Sequence, residues 1–299
     1  VGTKIQDEAG QDIQLKGMSS FWLNWEEPKY AESKAALTYM RDNWKIQVFR
    51  IAMGIEVTDG YLAAKTATQA RVDTIVQNAL ALGLYVIIDW HTERAVDQTT
   101  ESVAFFTGMA DKYGKCPNII YEDYNEPTKV TWDQIKPYHE SVVKAIRAKD
   151  PDNLIILGTP DWSSKPDVAA ANPVSGTNLL YTLHFYACAH AASSRTVGET
   201  AMSKGAALFI SEFGLTPADG GVPPNNKVCA DEGSKWFDWM AQKGISGTAW
   251  KLVSGVDSSN IFASSAKPPV DGPFPDSTLS QTTGSSPGHG QVIIDWLRK

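Results

Sequence analysis

Long hydrophobic runs are missing from this chain. No stretch of 18 or more apolar residues occurs among its 299 positions, which argues against a membrane-spanning helix and against a membrane partner. The sequence opens at Val1 without an apolar leader, so a signal peptide, had one existed, is expected to have been removed. Basic runs are missing too. Its 27 basic residues are outnumbered by 34 acidic ones, for a net charge of −7, and no Lys/Arg stretch is placed to track a phosphate backbone, so nucleic acid is not an expected partner. Cysteine is scarce: Cys116, Cys188 and Cys229 cannot all pair, and none has the spacing of a zinc site. No metal and no cofactor are therefore expected. Cys188 and Cys229 both follow expected strands in irregular segments, so a bridge between two loops is the pairing to test, with Cys116 left free. Repeats and low-complexity tails are absent as well.

What is present is enough apolar material for a large core. Hydrophobic residues make up 42% of the chain, and its length suits one α/β barrel, so a single domain over residues 1–299 is the expectation. Eight short runs rich in Val, Ile, Leu and aromatics recur: Gln14–Ser19, Gln47–Met53, Leu84–Trp90, Asn118–Asn125, Leu154–Gly158, Leu179–Tyr186, Ala207–Phe213 and Ile245–Trp250. Such continuous apolar strands are buried on both faces, as in a parallel sheet covered by helices. Ala31–Asp42, Thr68–Leu82, Ser102–Tyr113, Asp133–Lys149 and Ser234–Lys243 carry apolar residues at helical spacing. The pattern is that of an α/β (β/α)8 TIM barrel. Lys4–Gln6 and Asp12–Leu15 flank Ala9-Gly10 as a short hairpin, placed at the barrel floor. Val253–Gly290 is rich in Ser, Gly and Pro and reads as a long surface loop, with a last helix from Gln291.

Active sites of such barrels lie at the carboxyl ends of the strands, and five strands here end in polar groups. Arg50 sits in VFRIAM, Asp89 to His91 end VIIDWH, Asn125 and Glu126 end IIYEDYNEP, His184 and Tyr186 end LHFY, and Glu212 sits in LFISEFG. Taken singly, a strand Arg can be a structural ion-pair partner and a lone His a satisfied core residue. Together they point to one rim. Glu126 and Glu212, on strands four and seven, fit glycoside hydrolysis, which needs one carboxylic acid at the leaving oxygen and one carboxylate at the anomeric carbon. Asn125 can reach a sugar 2-OH, while Arg50 and Tyr186 can hold Glu212 ionised, leaving Glu126 as the protonated partner. Ten each of Trp, Tyr and Phe suit a stacking cleft, although any one Trp taken alone can equally fill a core.

LKGMSS, FRIAM, Gly60-Tyr61, YVIIDWH, PNIIYEDYNEP, IKPY, LGTPDWS, LHFYA, FISEFG, DGGV and Trp250 occur in this order. In this the chain resembles family 5 glycoside hydrolases of the bacterial endo-β-1,4-glucanase (cellulase) branch. The resemblance implies a secreted, monomeric, retaining enzyme acting on a β-glucan polysaccharide. It assigns Glu126 as acid/base and Glu212 as nucleophile. Around them it places Arg50, His91, Asn125, His184, Tyr186 and Trp250, with Trp25, Tyr61, Trp162 and Trp250 as sugar platforms. For a retaining pair the carboxyl groups should lie ~5 to 5.5 Å apart, against ~6.5 to 9.5 Å for an inverting one.

Two positions depart from the family pattern. Phe21 and Trp22 stand where a His and a Gly are usual, with core packing an equal reading for Trp22. The family's lysine beyond strand eight falls near Gly255. Three other readings stay open: a β-mannanase or a mixed-linkage or xyloglucan glucanase with the same glutamates, a silent carbohydrate-binding barrel, and a metal hydrolase using His91, His184 and carboxylates, for which no clustered ligand motif exists.

Overall fold

The computed structural model describes residues 2–218, 225–280 and 288–299. A two-stranded antiparallel hairpin, β1 (Ile5–Gln6) and β2 (Asp12–Ile13), precedes the barrel. The barrel staves are β3 (Lys16–Ser20), β4 (Val48–Gly54), β5 (Tyr85–His91), β6 (Ile119–Glu122), β7 (Leu154–Leu157), β8 (Leu179–Thr182) with its continuation β9 (Phe185–Tyr186), β10 (Leu208–Gly214) and β11 (Ser246–Leu252). All pair in parallel, and β11 meets both β10 and β3, closing the ring. The sixth stave breaks at Leu183-His184, so one expected strand becomes two short pieces.

Alternation along each strand sorts the side chains. Outward residues such as Phe49, Ile51, Val86, Ile88 and Tyr121 pack under the helices. Inward, Val48, Ile87, Ile120, Ile156, Leu180 and Phe209 form an apolar floor layer, and Ile5 and Leu15 seal it from below. The hairpin thus sits where the sequence placed it. One pleat higher the interior turns polar: Arg50, Asp89, Glu122, Thr182, Ser211 and Thr248 are all fully buried. That switch from oil to charge sets the height of the site.

Helices Lys65–Ala81, Thr99–Tyr113, Trp132–Arg147 and Ala230–Lys243 lie within a few residues of their expected limits, and the last spans His289–Leu297. Thr131 and Gln134 cap the third of these reciprocally. The expected Ala31–Asp42 helix is shorter, Lys34–Tyr39, and loosens into a π-turn over Met40–Trp44. Pro166–Ala171 and Ala192–Ser203 are further helices without a strong apolar period. The second buries only Gly198 and Ala201, and a Cβ on Gly198 would come within 2.8 Å of the Trp239 ring, so small size rather than hydrophobicity marks its inner face.

The expected surface loop Val253–Gly290 is corrected in part. Its described portion is irregular, yet Ile261, Phe262, Phe274 and Leu279 are fully buried. Phe262 and Phe274 pack with Tyr30 and Trp44 at centroid separations of 5.2 to 5.9 Å. Tyr30 donates to the Pro268 carbonyl at 3.0 Å and Ser33 to Asp271 at 2.6 Å. The loops after β3 and β11 are therefore joined. Cys188 and Cys229 form a disulfide, and Cys116 is free. The DGGV motif lies outside the described residues.

Candidate active site

Arg50, on β4, is the hub. Its Nε and Nη2 donate to Glu122 at 2.7 and 3.2 Å, Nη1 to Glu212 at 2.8 Å, and Nη2 also to Asn125 at 2.6 Å, with Asp89 at 3.0 Å. A guanidinium presents five donors in a fixed fork, which is why this residue can serve four partners at once. Burial works against its charge, but Asp89, Glu122 and Glu212 hold it firmly protonated. Glu212, from β10, takes a second bond on its other oxygen, from the Tyr186 hydroxyl at 2.6 Å. Burial alone would raise this carboxyl; Arg50 first, with the Tyr186 hydroxyl beside it, outweighs burial and brings the pKa down to about 2. Glu212 is a carboxylate at any ordinary pH.

Glu126 follows β6 by four residues, with its amide bound to the Thr92 carbonyl. Gly158 lets the end of β7 press against this segment: a Cβ there would lie 2.2 Å from the Tyr124 carbonyl. Beneath it, His139 bridges Asp123 and the Gly158 carbonyl at 2.8 and 2.9 Å. Burial first, and the Glu212 charge second, push the Glu126 carboxyl well above the usual carboxylate range. The hydrogen-bond chain agrees. Ser211 donates its one proton to Glu122 at 2.6 Å, so it accepts from His184 Nε2 at 3.0 Å. Burial also disfavours the imidazolium of His184. Its Nδ1 is then an acceptor, and the proton in the 2.8 Å contact between Nδ1 and Glu126 Oε1 belongs to the glutamate.

The pair therefore sits in opposite protonation states, as acid and nucleophile must. Oxygens of Glu126 and Glu212 lie within 4.8 Å of each other and of a His184 nitrogen. The same three groups are the one metal-capable cluster among the described residues, but they fit a cation poorly. Glu212 spends both oxygens on Arg50 and Tyr186, His184 spends both nitrogens, and Arg50 would repel the ion.

His91 Nδ1 contacts Asp89 at 2.6 Å, and its ring lies parallel to Trp250, 5.4 Å away. Burial, helped by Arg50, lowers its pKa to about 4, so the ring is uncharged near neutral pH. Trp25 and Trp162 stand 46% and 51% exposed, and Trp162 lines a cavity of about 450 Å³ with Glu126, His184 and Tyr186. Tyr61 is 7% exposed, about as little as Trp250 at 6%, and packs its ring against Trp90 and Phe105. Trp22 is neither core nor free: it stacks on Trp25 at 5.2 Å and sets its edge on His91 at 4.3 Å.

Residues 6–255 match the cellulase family, glycosyl hydrolase family 5. The chain belongs to this family. Endoglucanase Z of Dickeya dadantii is 41% identical over 270 residues, covering 89% of this chain and 62% of that relative. An endoglucanase of Clostridium saccharobutylicum is 40% identical over 287 residues, 94% of this chain and 62% of the other. This family 5 chain thus spans about three fifths of the length of these curated relatives. Among solved structures, the catalytic domain of Thermobifida fusca endoglucanase Cel5A superposes with a TM-score of 0.89 at 30% identity, covering 100% of this chain and 96% of the other. A variant of it was solved in complex with cellotetraose, with the same score and coverage.

Glu122 and Ser211 are the members that sequence reasoning left out, while Asp89 was named only as a strand end. Glu122 lies four residues before Glu126 in a run already rich in acids, and nothing local told it from a surface carboxylate. The signal was parity: it shares the inward alternation of Ile120. No lysine can simply be restored at Gly255, which adopts φ of +153° with Asn260 2.8 Å from any Cβ. Lys251 lies nearby instead, 4.9 Å from the Phe21 ring and paired with Asp257 at 2.7 Å. No helix among the described residues is long and apolar enough to cross a membrane.

Proposed function

We propose that this chain hydrolyses internal β-1,4-glucosidic bonds of cellulose or related β-glucans by double displacement with retention. In this reading the Glu126 carboxyl protonates the departing oxygen while the Glu212 carboxylate attacks the anomeric carbon. The covalent glycosyl-enzyme is then opened by water, which gives its proton back to Glu126. Arg50 and Tyr186 hold Glu212 ionised and aimed, and Asn125 is placed for the 2-OH of the sugar being cleaved. His91 and Trp250 line the sugar side of the cut, and Trp25 and Trp162 carry the flanking rings. No metal or other cofactor takes part.

The observation that carries the proposal is the opposed protonation of two glutamates whose oxygens lie within 4.8 Å. Family membership and the endoglucanase names of the 40% identical relatives support the substrate. The further parts of the reading are that residues 1–299 act as one catalytic domain, as a monomer and outside the cell. Product analysis on carboxymethyl cellulose, barley glucan, glucomannan and xyloglucan in parallel tests the substrate. Fastest release of short oligosaccharides from carboxymethyl cellulose or barley glucan is expected, with β-anomers appearing first by proton NMR. Preference for glucomannan or xyloglucan would replace the substrate, and α-anomers would overturn the mechanism.

A further inference from the structure

The turn after β7 has three consecutive residues in the left-handed region: Asp161, Trp162 and Ser163, with φ of 61°, 55° and 54°. L-residues leave that region unless surrounding bonds hold them, and such holdings cluster where geometry matters for function. Here the bonds converge on one neighbour. The Trp162 amide donates to the Pro127 carbonyl at 3.1 Å, and the Ser163 hydroxyl donates to the Asn125 carbonyl at 2.6 Å. Those two carbonyls lie on either side of Glu126. The same hydroxyl accepts from the Thr159 amide at 3.3 Å, and the Ser163 carbonyl accepts from the His184 amide at 2.8 Å. Ser163 is fully buried, while the adjacent Trp162 is half exposed in the cavity beside Glu126.

We propose that Ser163 is a positioning residue for Glu126: through the Asn125 carbonyl it clamps the peptide that carries the acid, and it ties that peptide to the segment bearing His184. The inference rests on Glu126 being the proton donor. Ser163 touches no reacting atom. Its hydroxyl is the only side-chain group of the turn in the clamp among the described residues; the other bond, from Trp162, is made by backbone and survives substitution. Loss of the hydroxyl leaves a buried carbonyl without this donor and the peptide before Glu126 held on one side only, by its amide on the Thr92 carbonyl, so the carboxyl shifts from the line of the leaving oxygen.

The test uses Ser163→Gly and Ser163→Ala. Glycine suits the positive φ, so it removes the hydroxyl while relaxing the backbone, whereas alanine removes the hydroxyl and keeps the strain. Values of kcat/KM are measured on cellotetraose, whose leaving sugar needs a proton, and on 2,4-dinitrophenyl cellobioside, whose leaving group does not. Acid catalysis contributes roughly 10² to 10⁴ in rate, so a misplaced acid should cost about tenfold or more on cellotetraose and under about threefold on the activated substrate, in both variants. Equal losses on the two substrates, or none, would overturn the inference. Glu126→Ala run alongside separates the ideas. If it too fails to discriminate between the substrates, the acid role of Glu126 falls and the inference with it; if it discriminates and Ser163→Gly does not, only the inference falls.

Discussion

Removing one oxygen from Tyr186 tests what holds Glu212, the proposed nucleophile, ionised. In Tyr186→Phe the ring stays and the 2.6 Å bond to Glu212 Oε1 goes. A hydrogen bond to a charged group contributes about 1.5 to 3 kcal/mol, and about 1.4 kcal/mol corresponds to one pH unit. The Glu212 carboxyl, held at about 2, should therefore rise by roughly one to two units. It should stop short of its ordinary 4.5, because Arg50 still grips the other oxygen at 2.8 Å and is the larger of the two influences. The sign follows from a depressed folded-state value. In the proposed mechanism Glu212 works as the carboxylate, so activity is present above its pKa and fades as pH falls through it, and raising that pKa moves the acid limb of kcat/KM upward. The assay is kcat/KM on cellotetraose across the acidic range, with circular dichroism at each pH to exclude unfolding. An acid limb that stays where the wild-type limb lies, in a folded variant, would refute the assignment of the hydroxyl as a support of the charge.

Glu212→Gln should abolish turnover on every substrate, while Glu126→Ala should spare kcat/KM for dinitrophenyl glycosides and lose roughly 10² or more on cellotetraose; steady-state rates on both substrates decide it. Trp162→Ala should weaken productive use of long chains more than of short activated glycosides, and an unchanged KM ratio between the two would count against Trp162 as a platform. Breaking the Cys188–Cys229 link, which closes a 41-residue separation, should lower stability by up to about 4 kcal/mol. Urea titration of the double Cys→Ser variant reads this directly.

The barrel was legible because its strands are buried on both faces: runs such as VFRIAM and YVIIDWH can scarcely be anything but parallel staves. Periodicity found the helices whose inner faces are large and apolar, and it failed on Ala192–Ser203, where contact is made through Gly198 and Ala201. The two glutamates and the polar residues around them could be singled out because each lies within or just after an apolar strand. Position in a motif does not tell which way a ring points: Tyr61 packs against Trp90 and Phe105, which are distant from it in sequence. Trp22 was undecidable for the opposite reason, since its partners Trp25 and His91 meet only once β3 and β5 are in place. Composition hid the buried anchors of the last loop: four apolar residues among many Ser, Gly and Pro do not form a period, yet each found a hole to fill.

Those anchors bear on how the groove can change. Phe262 and Phe274 hold the segment after β11 to Tyr30 and Trp44, and Tyr30 and Ser33 reach back across to Pro268 and Asp271. The stretch presenting Trp22 and Trp25 and the stretch following Trp250 are thus one packed unit, although more than 200 residues of chain separate them. Grafting either alone from a relative would strip its partner of a shared aromatic knot. If the proposed activity holds, retargeting the chain to another sugar would best proceed by moving both halves together, with the Arg50 cluster left untouched as the chassis.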